Sequence, residues 1–199
     1  RLAMERGAGI NLGGGFHHAF ADHGEGFCVL NDVAIAIHDL MADGTIRRAA
    51  VIDVDVHQGN GTAAIFRDDP RVFTFSIHEE DNYPLVKPPS DQDVGLDRGA
   101  DGGVYLAALG HWVPRILDSH GPDLVAYVAG ADPFEEDQLG GLKLTREDLR
   151  ARDRLVFEAA RARSIPVCGF LAGGYARRVE DTVAIHADMV EEAFRSTPR

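Results

Sequence analysis

Residues 51–61, VIDVDVHQGNG, place Asp53, Asp55 and His57 at alternate positions of a β-branched run. Side chains of an extended chain alternate, so these three point to one side while Ile52, Val54 and Val56 point to the other. Three polar groups on one face of an apolar strand are costly to bury unless something satisfies them, and a divalent metal would. Adding Asp132, from the GADP stretch at 130–133, gives two carboxylates and one imidazole: Asp55, His57 and Asp132. Such a set leaves a position open for water and a substrate, as catalytic zinc requires, and its oxygen-rich character also suits iron or cobalt. The residues alone leave other readings open. Asp55 and His57 could form a buried ion pair, and Asp132, just before Pro133, could cap its own loop.

Other candidates lie in glycine-rich turns. Gly13, Gly14 and Gly15 precede Phe16, His17 and His18. A glycine run permits tight turns and close approach to a bound group, yet the same stretch reads equally as a surface turn with two incidental histidines. Phe27 reads first as core and second as a pocket wall. Cys28 reads as a small buried hydrophobe rather than a nucleophile.

These residues need elements to position them. The composition predicts a helix end over 2–6, a short buried strand over 8–12, and a central strand over 49–56 leading into a helix from 61 to 66. Val33, Ile37, Leu40 and Met41 recur at helical spacing after a cap at Asn31 or Asp32. A strand is expected over 72–77, then an irregular passage from Asn82 through 103, in which Pro88 and Pro89 oppose regular structure. A helix over 104–117 is expected to kink or divide at Pro114, and a strand spans 123–129. Thr145 and Asp148 form a capping box for a helix to about 163. A strand over 165–171 precedes a last helix over 180–194 with Val183, Met189, Val190 and Phe194 as its apolar positions. Alternating strands and helices specify an α/β domain, three-layer, its mostly parallel sheet covered by helices on both faces. In such sheets ligands collect at the carboxyl ends of the strands, where each polar cluster falls.

Size and charge narrow the class. A chain of 199 residues, 45% hydrophobic and 26% charged, suits one domain with a sizeable core. A net charge of -12 argues against a general nucleic-acid or anionic-membrane surface and would tolerate a cationic substrate. Two cysteines, Cys28 and Cys168, suit a reducing compartment, so a cytoplasmic location is expected. No apolar run has membrane length.

GGGFHHA at 13–19, GFCVLND at 26–32, IDVDVHQGNG at 52–61, FSIH at 75–78, GADPFEEDQLGG at 130–141 and GGY at 173–175 follow one another along the chain. Together they resemble the zinc-dependent histone deacetylase family, most closely its class IV branch and bacterial relatives of the arginase/deacetylase superfamily. The resemblance implies zinc, with iron possible, on Asp55, His57 and Asp132. It implies His18 as proton shuttle, His17 as electrostatic helper or acid paired with Asp53, and Tyr175 as donor to the substrate carbonyl. Phe27, after Gly26, would wall the acyl-lysine tunnel, with Tyr83 opposite and Gly173 beside the site. It further implies structural potassium on the Asp53 side chain, the Asp55, His57 and Ile77 carbonyls, and Ser76.

Gln58 and Asn60 stand where many members carry histidine and aspartate, a pattern of the class IV branch. Asn60 can accept a hydrogen bond from His18 without a carboxylate's charge, which makes His18 less basic. Family members also carry further sheet and helix before the GGGFHH motif, so residues 1–199 are expected to be a single catalytic domain lacking the N-terminal part. The activity implied is removal of acetyl or longer acyl groups from lysine in a protein or peptide. Hydrolysis of acylated polyamines or other small acylated amines, and a non-catalytic binding or scaffold role, are the alternatives.

Overall fold

Five of the apolar runs and one polar stretch become strands. In the computed structural model, which describes residues 1–196, these are β1 (Ala8–Asn11), β2 (Ala49–Asp53), β3 (Val72–Glu79), β4 (Gln92–Leu96), β5 (Leu124–Val128) and β6 (Val167–Phe170). All pair in parallel, in the order β1-β6-β5-β2-β3-β4. Six helices cover them: α1 (Leu2–Arg6), α2 (Asp32–Ala42), α3 (Asn60–Phe66), α4 (Gly102–His120), α5 (Arg146–Arg161) and α6 (Val179–Ser196). β2 and β5 are buried along their whole length, which is why they read as unbroken apolar runs. Val51, Val128 and Phe170 pack toward Val33, Ile37 and Phe66. Ile52 and Val54 pack the other way, among Tyr105, Leu109, Val156 and Met189. The result is a three-layer α/β fold with a core on each face of the sheet.

Local signals start α2 and α5 where expected. Asn31 Oδ1 accepts from the Ala34 N–H at 2.9 Å, and the Thr145–Asp148 capping box is formed in both directions. Among the described residues no helix is long and apolar enough to cross a membrane.

Several expectations are corrected. β2 stops at Asp53 rather than Val56, because side-chain carboxylates take over the N–H groups that follow: Asp53 accepts from Asp55 at 3.1 Å and Asp55 from His57 at 2.9 Å. β1 is a partly buried edge strand, not a buried one, and Leu12 beyond it is 70% exposed. The passage after Asn82 contains β4; Asp91 organises its start by accepting from the Thr74 N–H at 2.8 Å and hydroxyl at 3.0 Å. α4 runs uninterrupted through Pro114 because Leu109, Val113, Ile116 and Leu117 are all buried, and tertiary packing outweighs one missing hydrogen bond. On α6, Val183 and Phe194 face solvent and Val190 is only partly buried, while Ile185, Met189 and Ala193 form the packed stripe.

One buried polar group links the core to the loop after β5. Arg152, fully buried on α5, donates to the Gly130 carbonyl at 2.6 Å and to the Asp153 carboxylate at 2.8 Å. Tyr127 donates to the same carboxylate at 2.5 Å. Removing the cation leaves a buried carboxylate without its charge partner, so Arg152→Met is expected to destabilise the fold by about 3–5 kcal/mol. Chemical unfolding monitored by circular dichroism checks this, and a loss below about 1 kcal/mol, the level of an exposed ion pair, would contradict it.

Candidate metal and active site

The C-terminal ends of β2, β5 and β6 bring the acidic residues together. Asp53 ends β2; Asp55 and His57 follow in an irregular segment that keeps the alternation, so Val54 and Val56 remain in the core behind them. Asp132 arrives from the loop after β5 and accepts from the Val56 N–H through Oδ1 at 2.9 Å. Gly173, after β6, donates its N–H to Asp55 Oδ2 at 3.0 Å. A side chain at Gly173 would collide with both the Asp132 and Asp55 carboxylates, so only glycine lets the third strand end approach this closely.

The oxygens and nitrogen left over converge. His57 Nδ1 lies 3.1 Å from Asp55 Oδ1 and 3.3 Å from Asp132 Oδ2. Asp132 Oδ2 is buried without a hydrogen-bond partner. The ligand atoms of Asp55, His57 and Asp132 all lie within 4.8 Å of one another. A buried carboxylate oxygen without a donor, beside a second carboxylate and an imidazole, fits a divalent cation. The electrostatics agree. Burial opposes charge on His57, but Asp132 and Asp55 overcome it and push its pKa up to about 11. Burial and then Asp55 push Asp132 up to about 7. Without a metal the cluster therefore draws a proton onto His57, the place a dication would fill.

Around this triad stand the tandem histidines. His17 Nδ1 is 2.6 Å from Asp53 Oδ2, and its Nε2 lies 3.8 Å from Asp55. Burial opposes its charge, and Asp53 and Asp55 outweigh burial to raise it to about 9. His18 Nδ1 is 2.7 Å from Asn60 Oδ1. Burial first and the neighbouring His17 second lower it to about 3, so one histidine is held charged and the other neutral. The glycine loop that carries both is fixed by Asp32, whose carboxylate accepts from the N–H groups of Gly15 and Phe16 at 3.1 and 2.8 Å. Both histidines are buried and line the cavity over the cluster, so they are not incidental residues of a surface turn.

A cavity of 490 Å³ opens over the cluster, lined by His17, His18, Gly26, Phe27, Cys28, Asp55, His57, Tyr83, Asp132, Gly173 and Tyr175 among others. Phe27 is 84% exposed at its mouth, correcting the core assignment. It occupies the left-handed region at φ 66°, after Gly26 at φ 53°, in a turn closed by Glu25 and Cys28. That backbone turns the ring outward, 6.3 Å from Tyr175. Strained backbone of this kind concentrates at functional sites. Tyr83 stacks edge-on 5.0 Å from His18. Tyr175 is held through its N–H to Asp137 at 2.6 Å, and burial, then Asp132, push its hydroxyl up to about 12, so it remains protonated.

Asp53 pairs in register with Ser76, whose hydroxyl is 2.9 Å from His78 Nδ1, while the Ile77 side chain lies in the core. Gln58 donates to the Pro88 carbonyl at 2.9 Å and to Asp93 at 3.1 Å. Three contributors had not been singled out from the sequence. Asp32 holds the histidine loop, Asp137 holds the Tyr175 loop, and Glu25 accepts from Asn60 at 3.2 Å and from Tyr83 at 2.5 Å. Only Asp32 carried a visible signal, its place at the start of α2.

Over residues 2–190 the chain matches the family described as histone deacetylase domain. It is 46% identical over 187 residues to an uncharacterized protein of Picosynechococcus, covering 94% of this chain and 62% of that protein. It is 36% identical over 198 residues to histone deacetylase 2 of Arabidopsis thaliana, covering 98% of this chain and 50% of that one. Its fold matches an acetylpolyamine aminohydrolase from Burkholderia pseudomallei with a TM-score of 0.83 at 24% identity, covering 96% of this chain and 58% of that chain. The three-layer architecture is thus arginase/deacetylase-like. The chain spans 50 to 62% of the curated relatives named here.

Because His57 must lose its proton to offer a lone pair, and Asp132 is partly protonated at pH 7, uptake of zinc by the metal-free chain is expected to release between about one and two protons. Calorimetry in buffers of different ionisation enthalpy measures this directly. Asp132→Asn should weaken zinc binding at least about tenfold, and unchanged affinity would remove Asp132 from the ligand set.

Proposed function

The chain belongs to the histone deacetylase family, and on that premise we propose that it is a zinc-dependent amidohydrolase that removes acetyl or longer acyl groups from lysine side chains of proteins. The observation that carries this reading is the buried Asp55–His57–Asp132 triad, with the unpartnered Asp132 Oδ2, at the base of a cavity that His18 and Tyr175 also line. Asp55, His57 and Asp132 would hold the metal, which when bound supplies a Lewis acid and a water of lowered pKa.

The chain's own residues then divide the work. Neutral His18 takes a proton from the attacking water as its oxygen bonds to the acyl carbon. The Tyr175 hydroxyl, kept protonated, donates to the oxyanion that forms as the carbonyl electrons move onto oxygen. The carbon–nitrogen bond breaks as His18 returns the proton to the departing amine, leaving a carboxylate and a free amine. His17, held charged by Asp53, adds positive potential beside the developing anion. Phe27 and Tyr83 would flank the aliphatic stem of an acylated lysine, with Gly26 and Gly173 leaving room at its base.

Gln58 and Asn60 favour the class IV branch within the family. A structural potassium ion at Asp53, Ser76 and the carbonyls of Asp55, His57 and Ile77 belongs to the same proposal. Acylated polyamines are a second substrate class, favoured by the net charge of -12, which suits a multiply cationic amine.

Steady-state hydrolysis of an acetyl-lysine peptide and of an acetylated polyamine, with zinc content measured on each variant, tests the assignment. Tyr175→Phe is expected to keep its zinc and lose about 10²-fold in kcat. His18→Ala should also keep zinc and lose about 10² to 10⁴-fold. Full turnover in Tyr175→Phe would sink its role. Zinc retained by the parent chain without hydrolysis of either substrate would favour a binding or scaffold role.

A further inference from the structure

The partner of His18 is an amide, and an amide can be placed two ways round. An aspartate at position 60 would offer an acceptor whichever way it turned. Asn60 offers an acceptor on one side and a donor on the other, so its orientation decides which nitrogen of His18 carries the proton. With Oδ1 toward His18, Nδ1 must be the N–H and Nε2 keeps the lone pair. With the amide reversed, Nδ2 would face His18 and require the opposite tautomer, with the proton on Nε2.

Nothing in Asn60 itself makes that choice. Asn60 Oδ1 lies 2.7 Å from His18 Nδ1, and Asn60 Nδ2 points the other way, 3.2 Å from Glu25 Oε1. A carboxylate can only accept, so this contact tolerates the Asn60 NH₂ and rejects its carbonyl. Glu25 is itself held. The Tyr83 hydroxyl donates to the same Oε1 at 2.5 Å, and His23 Nε2 lies 3.6 Å from Oε2. Its backbone closes the turn that presents Phe27, with the Glu25 N–H to the Cys28 carbonyl at 3.0 Å and the Cys28 N–H to the Glu25 carbonyl at 2.8 Å. The side chain therefore stands on a fixed turn, a third exposed, against a buried amide.

We propose that Glu25 is a positioning residue that fixes the orientation of the Asn60 amide and thereby holds His18 as its Nδ1–H tautomer, with Nε2 free to take a proton. The proposal rests on His18 being the base, but the tautomer itself is a property of the folded chain and can be read without any turnover. Glu25 does here what the choice of aspartate would otherwise make unnecessary: it removes the ambiguity of an amide partner. Because the same oxygen accepts from Tyr83, one carboxylate fixes both the base and one wall of the cavity.

Nitrogen-15 correlation spectra of the His18 imidazole, in the zinc-loaded full chain, test this first. The parent protein, in which the Glu25 carboxylate can only accept from Asn60, should show one Nδ1–H tautomer. Tyr83→Phe, which leaves the acceptor in place, should show it too. Glu25→Leu should show a mixture or the opposite tautomer. Persistence of the pure Nδ1–H form in Glu25→Leu, or its absence from the parent protein, would overturn the proposal.

Kinetics supply the second arm. Glu25→Leu should lower kcat about tenfold with KM changed less than about twofold. In an Asn60→Asp background, where no amide remains to be oriented, Glu25→Leu should cost much less, keeping only the effect of releasing Tyr83. An equal loss in both backgrounds would assign Glu25 a general structural role instead. A parent chain with the expected tautomer but no hydrolysis would count against the deacetylase reading and leave the positioning of His18 established.

Discussion

The structure is organised by negative charge that has been buried without being neutralised. Asp53, Asp55 and Asp132 are each at most 2% exposed, and they crowd the ends of adjacent strands with only His17 and His57 to offset them. Burying ionised carboxylates costs several kcal/mol per group unless charge or hydrogen bonds compensate. Backbone N–H groups from residues 55, 56, 57 and 173 supply part of that compensation. The remainder falls to a cation: a proton on His57 in the metal-free chain, at the place a divalent metal would take. The parallel sheet is what makes the crowding possible, because it aligns the carboxyl ends of β2, β5 and β6 on one edge and leaves their irregular continuations to fold over one another.

From that constraint the division between the two tandem histidines follows. They are adjacent in the chain and 4.0 Å apart ring to ring, yet they are held in opposite states. His17 faces a carboxylate and is drawn toward its charged form; His18 is held neutral by burial and by the charge on His17, and its amide partner does not offset them. Substituting asparagine for a carboxylate at residue 60 would on its own leave the base poorly defined. The hydrogen bonds from Asn60 and Tyr83 to Glu25 show how the surrounding loop restores the definition without restoring the charge next to the imidazole.

How much of this was legible in the chain depends on how local each feature is. The Asp53–Asp55–His57 alternation survives the end of β2, so the pattern of residues 51–57 pointed to the right face even though the strand was expected to run further. The capping signals at Asn31 and Thr145 were likewise readable within four residues. β4 was not, since Gln92–Leu96 is a partly exposed edge strand with only Val94 and Leu96 apolar, set in a polar, glycine-containing stretch. Phe27 was misplaced because its exposure depends on a positive φ, which nothing about a phenylalanine announces. Val183 and Phe194 were counted as apolar positions by type, whereas the packed stripe of α6 is set by its rotation against the sheet. Glu25 sits in a polar loop 35 residues from Asn60 and 58 from Tyr83, and only the fold brings the three together.

The most direct test of the central claim is to strip the purified chain of metal, add zinc back in measured fractions, and follow hydrolysis of an acetyl-lysine peptide. Activity that is absent without zinc and rises in proportion to it, saturating at about one equivalent per chain, is the result expected of a single buried Asp55–His57–Asp132 centre. Hydrolysis that survives stripping, or that needs more than one zinc per chain, would contradict it.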